Sequence, residues 1–184
     1  MFSEQNKKMI LDVARKSIAH GLEQGKPLKI NSGDFDEVLR EQRATFVTLK
    51  LQGELKGCIG VLEAHRALIE DVAENAYAAA FRDSRFSPLT PAELDQLDVS
   101  VSILEPAQPM RFTSEEDLIN QIQPGIDGLI LEEGWHRGTF LPAVWESVKT
   151  AREFLNHLKV KAGLPMDYWS ETIKIKRYTT EMVE

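Results

Sequence analysis

The chain has little cysteine, no long apolar run and no basic tract, and each lack removes a class of function. A single cysteine, Cys58, excludes an internal disulfide and any cysteine-rich zinc or iron–sulfur centre. No apolar stretch approaches the ~20 residues that cross a bilayer. The early Asn6-Lys7-Lys8 is not followed by an apolar core, so no membrane association or signal peptide is predicted, and the expected location is the cytoplasm. Lys and Arg number 22 against 29 Asp and Glu, a net charge of −7 that repels phosphate backbones and argues against a nucleic-acid partner. The densest basic stretch, Lys174-Ile175-Lys176-Arg177, reads as the solvated face of a strand. The histidines (His20, His65, His136, His157) lack any close ligand spacing, so no metal and no cofactor are predicted. What remains, 42% hydrophobic and 28% charged, is the balance of an ordinary globular chain, read as one domain over residues 1–184.

The organising stretch is Thr45 to Leu62, TFVTLKLQGELKGCIGVL. Val47, Leu49 and Leu51 alternate with Phe46, Thr48 and Lys50, the period of a strand. Gln52-Gly53 supplies a two-residue turn, and Glu54 to Val61 returns as the second strand of a hairpin carrying Cys58. With that turn, Val47 is expected opposite Cys58, Leu49 opposite Lys56 and Leu51 opposite Glu54, all on one face. Gly60 falls on the same face as Cys58, where a strand glycine leaves room beside the sulfur for a ligand.

Around the hairpin, helices are predicted over Ser3 to about Gln24 and His65 to Phe81, both with apolar stripes at helical spacing. The run Ala78-Ala79-Ala80 allows the second to lie close against a sheet. Thr90-Pro91-Ala92-Glu93 is a capping box that starts a short helix to about Gln96, and Val99 to Leu104 is a strand. A helix begins at Thr113-Ser114 and closes at Pro124-Gly125; Ile126 to Leu131 is a strand, Glu133 to Gly138 a loop, and Thr139 to Leu141 its short partner. After Pro142 one long helix runs to Ala162, and Thr172 to Tyr178 is the last strand. Hairpins and long helices without regular βαβ alternation predict an α+β fold with a largely antiparallel sheet flanked by helices.

At this point the residues match a pattern. Leu55-Lys56-Gly57-Cys58-Ile59-Gly60 resembles the signature of the AMMECR1 domain family, which usually has arginine at the place of Lys56. Ala80-Phe81-Arg82-Asp83-Ser84-Arg85-Phe86 with Pro88-Leu89 resembles the second block, usually with proline at the place of Ser84. Gly125 to Leu129, Phe140-Leu141-Pro142 and Lys161 to Leu164 resemble three more, in order. The resemblance spans nearly the whole chain. It implies a compact α+β protein with a larger and a smaller subdomain meeting beside the signature strand. It also implies association with a Memo-type dioxygenase-like protein and a radical SAM protein. It implies no particular reaction.

Two readings of the chemistry stand. As an enzyme acting on a small polar substrate, the protein would use Cys58 as a catalytic nucleophile or redox thiol, activated by Lys56 on the same face, with Arg82, Asp83 and Arg85 around the substrate. As a binding module for a small ligand or a partner, it would use Lys56, Gly57 and Gly60 with Arg82, Asp83 and Arg85 as an anion clamp, and His136 in a loop folding over the site. The plainer readings are a buried cysteine that packs as a small hydrophobe and arginines that solvate a helix end. Trp135, beside His136, closes a pocket or offers an interaction surface.

Overall fold

A computed structural model describes residues 1–184. Along the chain run α1 (Glu4–Gln24), α2 (Glu37–Arg40), β1 (Thr45–Leu51), β2 (Glu54–Gly60), α3 (Leu68–Phe81), β3 (Leu97–Leu104) and β4 (Gln108–Pro109). Then follow α4 (Glu115–Gln121), β5 (Gly128–Glu133), β6 (His136–Phe140), α5 (Ala151–Lys161), β7 (Lys174–Tyr178) and β8 (Thr180–Val183). Short 3-10 helices occupy Ser32–Asp34, Pro91–Gln96 and Pro142–Glu146. The fold is α+β. The chain divides into two compact units, residues 1–104 with 181–184, and residues 105–180.

The first unit holds a sheet of order β2-β1-β3-β8, in which β1 pairs antiparallel with both β2 and β3. Its helix α1 is bounded by local chemistry. The Ser3 hydroxyl accepts the Asn6 amide at 3.1 Å, and Gly25, at φ 67°, turns the chain left-handed and returns its own N–H to Gly21. Between caps, Ile10, Val13, Ala14 and Ile18 are buried, and the Ser17 hydroxyl donates to the Ala73 carbonyl of α3 at 2.7 Å. Helix α3 begins at Leu68 rather than His65. Ala67 just before it is held extended by a bridge to Gln42, which keeps it out of the helix.

The hairpin register departs from the alternation that the sequence suggests. Leu51 lies opposite Glu54 as expected, but a bulge between Leu49 and Lys50 leaves Lys56 as an extra residue on β2. Beyond it Leu49 pairs with Gly57, Thr48 with Cys58 and Val47 with Ile59. Because strand side chains alternate, this one-residue shift moves Cys58 off the face of Val47 and Leu49. Val47 and Leu49 are fully buried, and α3 lies over their face: a β-carbon on Gly57 would sit 2.0 Å from the Ala79 carbonyl. Cys58 therefore faces away from α3, with Phe46 and Thr48. The space beside Gly60 is filled: a β-carbon there would meet the Phe46 ring and the Thr45 carbonyl, each at 2.3 Å.

The second unit holds a sheet of order β4-β7-β5-β6, with α4, α5 and a core of Leu118, Leu129, Leu131, Phe154, Leu155, Leu158 and Ile175. The helix expected after Pro142 is two pieces. Pro142–Glu146 is a 3-10 turn, and α5 starts only after Thr150, whose hydroxyl accepts the Glu153 amide at 3.2 Å. Val148, between them, is buried all the same. The loop expected at Glu133 to Gly138 is a two-residue turn, with Gly134 at φ 59°, and His136 opens β6 opposite Glu133. Strand β8 had no sequence signal.

Gly57→Ala should destabilise the first unit by about 3 kcal/mol, the cost of forcing a methyl against packed backbone. Gly33→Ala, whose nearest contact is the Asn31 side chain at 3.4 Å, should stay within about 0.5 kcal/mol. Urea unfolding of the two variants checks both.

Candidate functional site

The centre of the signature region is a carboxylate. Asp83 follows the last turn of α3, and its side chain turns in toward β2 with 5% of its surface exposed. Its Oδ2 accepts the Cys58 backbone N–H at 3.0 Å. The Arg85 guanidinium binds it with two prongs, Nε to Oδ1 at 3.0 Å and Nη2 to Oδ2 at 2.7 Å, and the Arg85 amide reaches Oδ1 at 3.2 Å. The same Nη2 donates to the Cys58 carbonyl at 3.4 Å. Since β2 is an edge strand, the outward N–H and C=O of Cys58 would otherwise be bare; the Asp83–Arg85 fork satisfies both, as a neighbouring strand would. The loop is tied back by the Phe86 amide on the Asp83 carbonyl (3.1 Å) and the Leu89 amide on the Ala80 carbonyl (2.9 Å).

These contacts fix protonation. The Arg85 hydrogen bonds hold the Asp83 carboxyl well below the usual carboxylate range, with burial opposing and the Cys58 and Arg85 amides assisting. The pairing in turn raises Arg85, chiefly through its hydrogen bond to Asp83.

The other expected residues take separate roles. Cys58 is half-buried, and its Sγ shares a hydrogen bond with the Thr48 hydroxyl at 3.3 Å. Lys56, the bulged residue, is 12% exposed and donates to Glu93 at 3.3 Å and Ser87 at 3.4 Å. Glu93 also accepts the Thr90 amide at 2.8 Å, which is the main cause of its lowered pKa, with Lys56 a lesser one. Arg82 lies over the Tyr77 ring at 5.0 Å, so the two arginines of the block are not a convergent pair. Gly57 and Gly60 are places of close packing. His136 belongs to the second unit, where its Nδ1 pairs with the Ala162 carbonyl at 3.1 Å. No three His, Cys, Asp or Glu side chains converge to hold a metal ion, and no helix is long and apolar enough to cross a membrane.

Sequence reading missed Thr48, Ser87 and a second buried carboxylate, Asp71. Its Oδ2 accepts the Thr45 amide at 2.9 Å, the Thr45 hydroxyl at 2.6 Å and the Asn75 side chain at 2.9 Å, which ties β1 to α3. Burial raises the Asp71 pKa against the Thr45 and Arg66 contacts that lower it. Asp71 and Asn75 one helical turn apart, on a face otherwise apolar, are the one signal that marked them.

The sign of the acid response follows from Asp83. Its folded-state pKa lies below the unfolded value, so its stabilisation is complete above about pH 4 and drains away as pH falls toward the folded value. Asp83→Asn should melt lower than the parent at neutral pH, and the gap should narrow as the pH is taken below about 4. Melting temperatures recorded across that range read the difference.

With this geometry in view, similarity to known proteins is informative. The AMMECR1 family profile matches residues 11–183. A protein of Methanothermobacter thermautotrophicus is 38% identical, with the alignment covering 98% of this chain and 94% of that one. A protein of Methanocaldococcus jannaschii is 40% identical over 87% of this chain and 81% of its own. The crystal structure of an uncharacterized protein from Pyrococcus horikoshii superposes with a TM-score of 0.90 at 33% identity, over 98% of this chain and 92% of that one. The chain belongs to the AMMECR1 family.

Proposed function

We propose that the protein is a binding module in which the Arg85 edge of the signature strand receives a carboxylate or phosphate presented by a partner protein or small ligand. The supporting observation is that Arg85 is immobilised by the buried Asp83 yet keeps 57% of its side chain exposed, with its guanidinium 5.2 Å from the Phe86 ring centre. A cation fixed in advance loses little entropy on binding, and its planar fork suits an oxyanion. The Memo-type and radical SAM proteins implied by the family resemblance are the partner class proposed. The lone free thiol suits a reducing compartment, which supports a cytoplasmic setting.

The cysteine-enzyme reading has less support. A nucleophilic thiol needs a base or cation at the sulfur, whereas Cys58 Sγ bonds to Thr48, Lys56 is taken up by Glu93 and Ser87, and Arg85, the cation near Cys58, is already paired with Asp83. Calorimetric titration with the Memo-type protein of the same genome distinguishes the two. Arg85→Gln should weaken binding by about tenfold, the order of one charge-assisted contact, while Cys58→Ser should leave it unchanged. Equal affinity for Arg85→Gln and parent would remove the proposal.

A further inference from the structure

A second, separate site lies in the first unit, at the start of α3. A cleft of about 280 Å³ is lined by Leu28, Lys29, Ile30, Arg66, Glu70 and Glu74. We propose that this cleft binds a free α-amino acid with an apolar side chain.

The charges in the cleft are of both signs and only partly matched: Arg66 and Glu74 form a long ion pair, and two charges of opposite sign are left over. Lys29 and Glu70 face the same space but form no ion pair, with one another or with any other residue. Glu70 and Glu74 stand one turn apart on α3, a like-charge spacing that is unfavourable until a cation enters. Arg66 is the fourth charge. Its Nε and Nη2 lie 3.1 and 2.8 Å from His65 Nε2, its Nε also 3.0 Å from Asp71 Oδ1 as an ion pair, and its Nη1 3.9 Å from Glu74, beyond hydrogen-bonding reach. Asp71 is fully buried, and its Oδ1 has no hydrogen-bond partner. The guanidinium is therefore held from beneath by charge, with an N–H edge in the cleft still open to an acceptor.

These features narrow the ligand. An ammonium would settle between Glu70 and Glu74, and a carboxylate would join Lys29 to Arg66. A simple amine leaves Lys29 unmet, a simple anion leaves Glu70 unmet, and a divalent metal would face both cations. The volume, just under the ~300 Å³ at which small-molecule sites begin, suits a ligand of amino-acid size. Leu28 and Ile30 supply an apolar wall for the side chain.

The test is an NMR titration of the full chain with L-leucine, alongside isopentylamine and isocaproate, which lack its carboxylate and its ammonium respectively. Leucine should give saturable shifts confined to amides near Leu28–Ile30 and Arg66–Glu74, with a millimolar or tighter dissociation constant. Each analogue should bind about tenfold more weakly, as should Lys29→Gln and Glu70→Gln with leucine. Both substitutions lie outside the core, so the rest of the spectrum should be unmoved. No saturable shift with leucine, shifts centred elsewhere, or an analogue that binds as well as leucine would each overturn the assignment.

Discussion

One carboxylate carries more of the signature region than any other group. Asp83 takes the Cys58 amide, both prongs of Arg85 and the Arg85 amide at once. Sheet edges expose unpaired backbone groups, and β2 is such an edge. A second strand could cover it; here a side-chain fork does so, from a loop anchored to the end of α3. The segment after α3 and the strand bearing the cysteine are thereby one unit, although 25 residues separate the two ends of the bond. Buried and paired on both oxygens, Asp83 depends on its partner: removing Arg85 would leave a buried charge without compensation.

The bulge at Lys56 is the other constraint. Without it, Cys58 would share the face of Val47 and Leu49 and be covered by α3. With it, the sulfur lies on the opposite face beside Thr48, and the extra residue, Lys56, is free to reach Glu93 and Ser87. Gly57 is what lets β2 lie against α3 at all, since the Ala79 carbonyl occupies the space of a side chain. The signature thus reads as a set of packing and pairing requirements: a bulged cation, a glycine under a helix, an edge amide for a carboxylate, and a glycine under an aromatic ring.

Much of the fold was legible because its signals are local. Ser3 and Gly25 bound α1, the Gln52-Gly53 turn closes the hairpin, and Thr90 with Glu93 marks a turn, although that turn is 3-10 rather than α. Periodicity failed where two backbones bury the same residues. Val144 and Val148 keep a helical rhythm through a 3-10 turn and a break, and the sign of the break was Thr150 with Glu153, a helix start inside the presumed helix. The site was legible as a list of residues and not as an arrangement. Nothing in Leu55 to Gly60 announces a bulge, and nothing near Asp83 says that its partner is a backbone amide in β2. Arg82 and Arg85 look alike in sequence; only the fold separates one stacked on Tyr77 from one clamped to Asp83.

The most direct measurement is amide hydrogen exchange at Cys58 in the parent and in Asp83→Ala at neutral pH. An outward-facing edge amide held by a carboxylate should be strongly protected in the parent and should exchange far faster in the variant, while the amides of β1 change little. A Cys58 amide that exchanges freely in the parent, or equally slowly in both, would contradict the claim that Asp83 caps the strand.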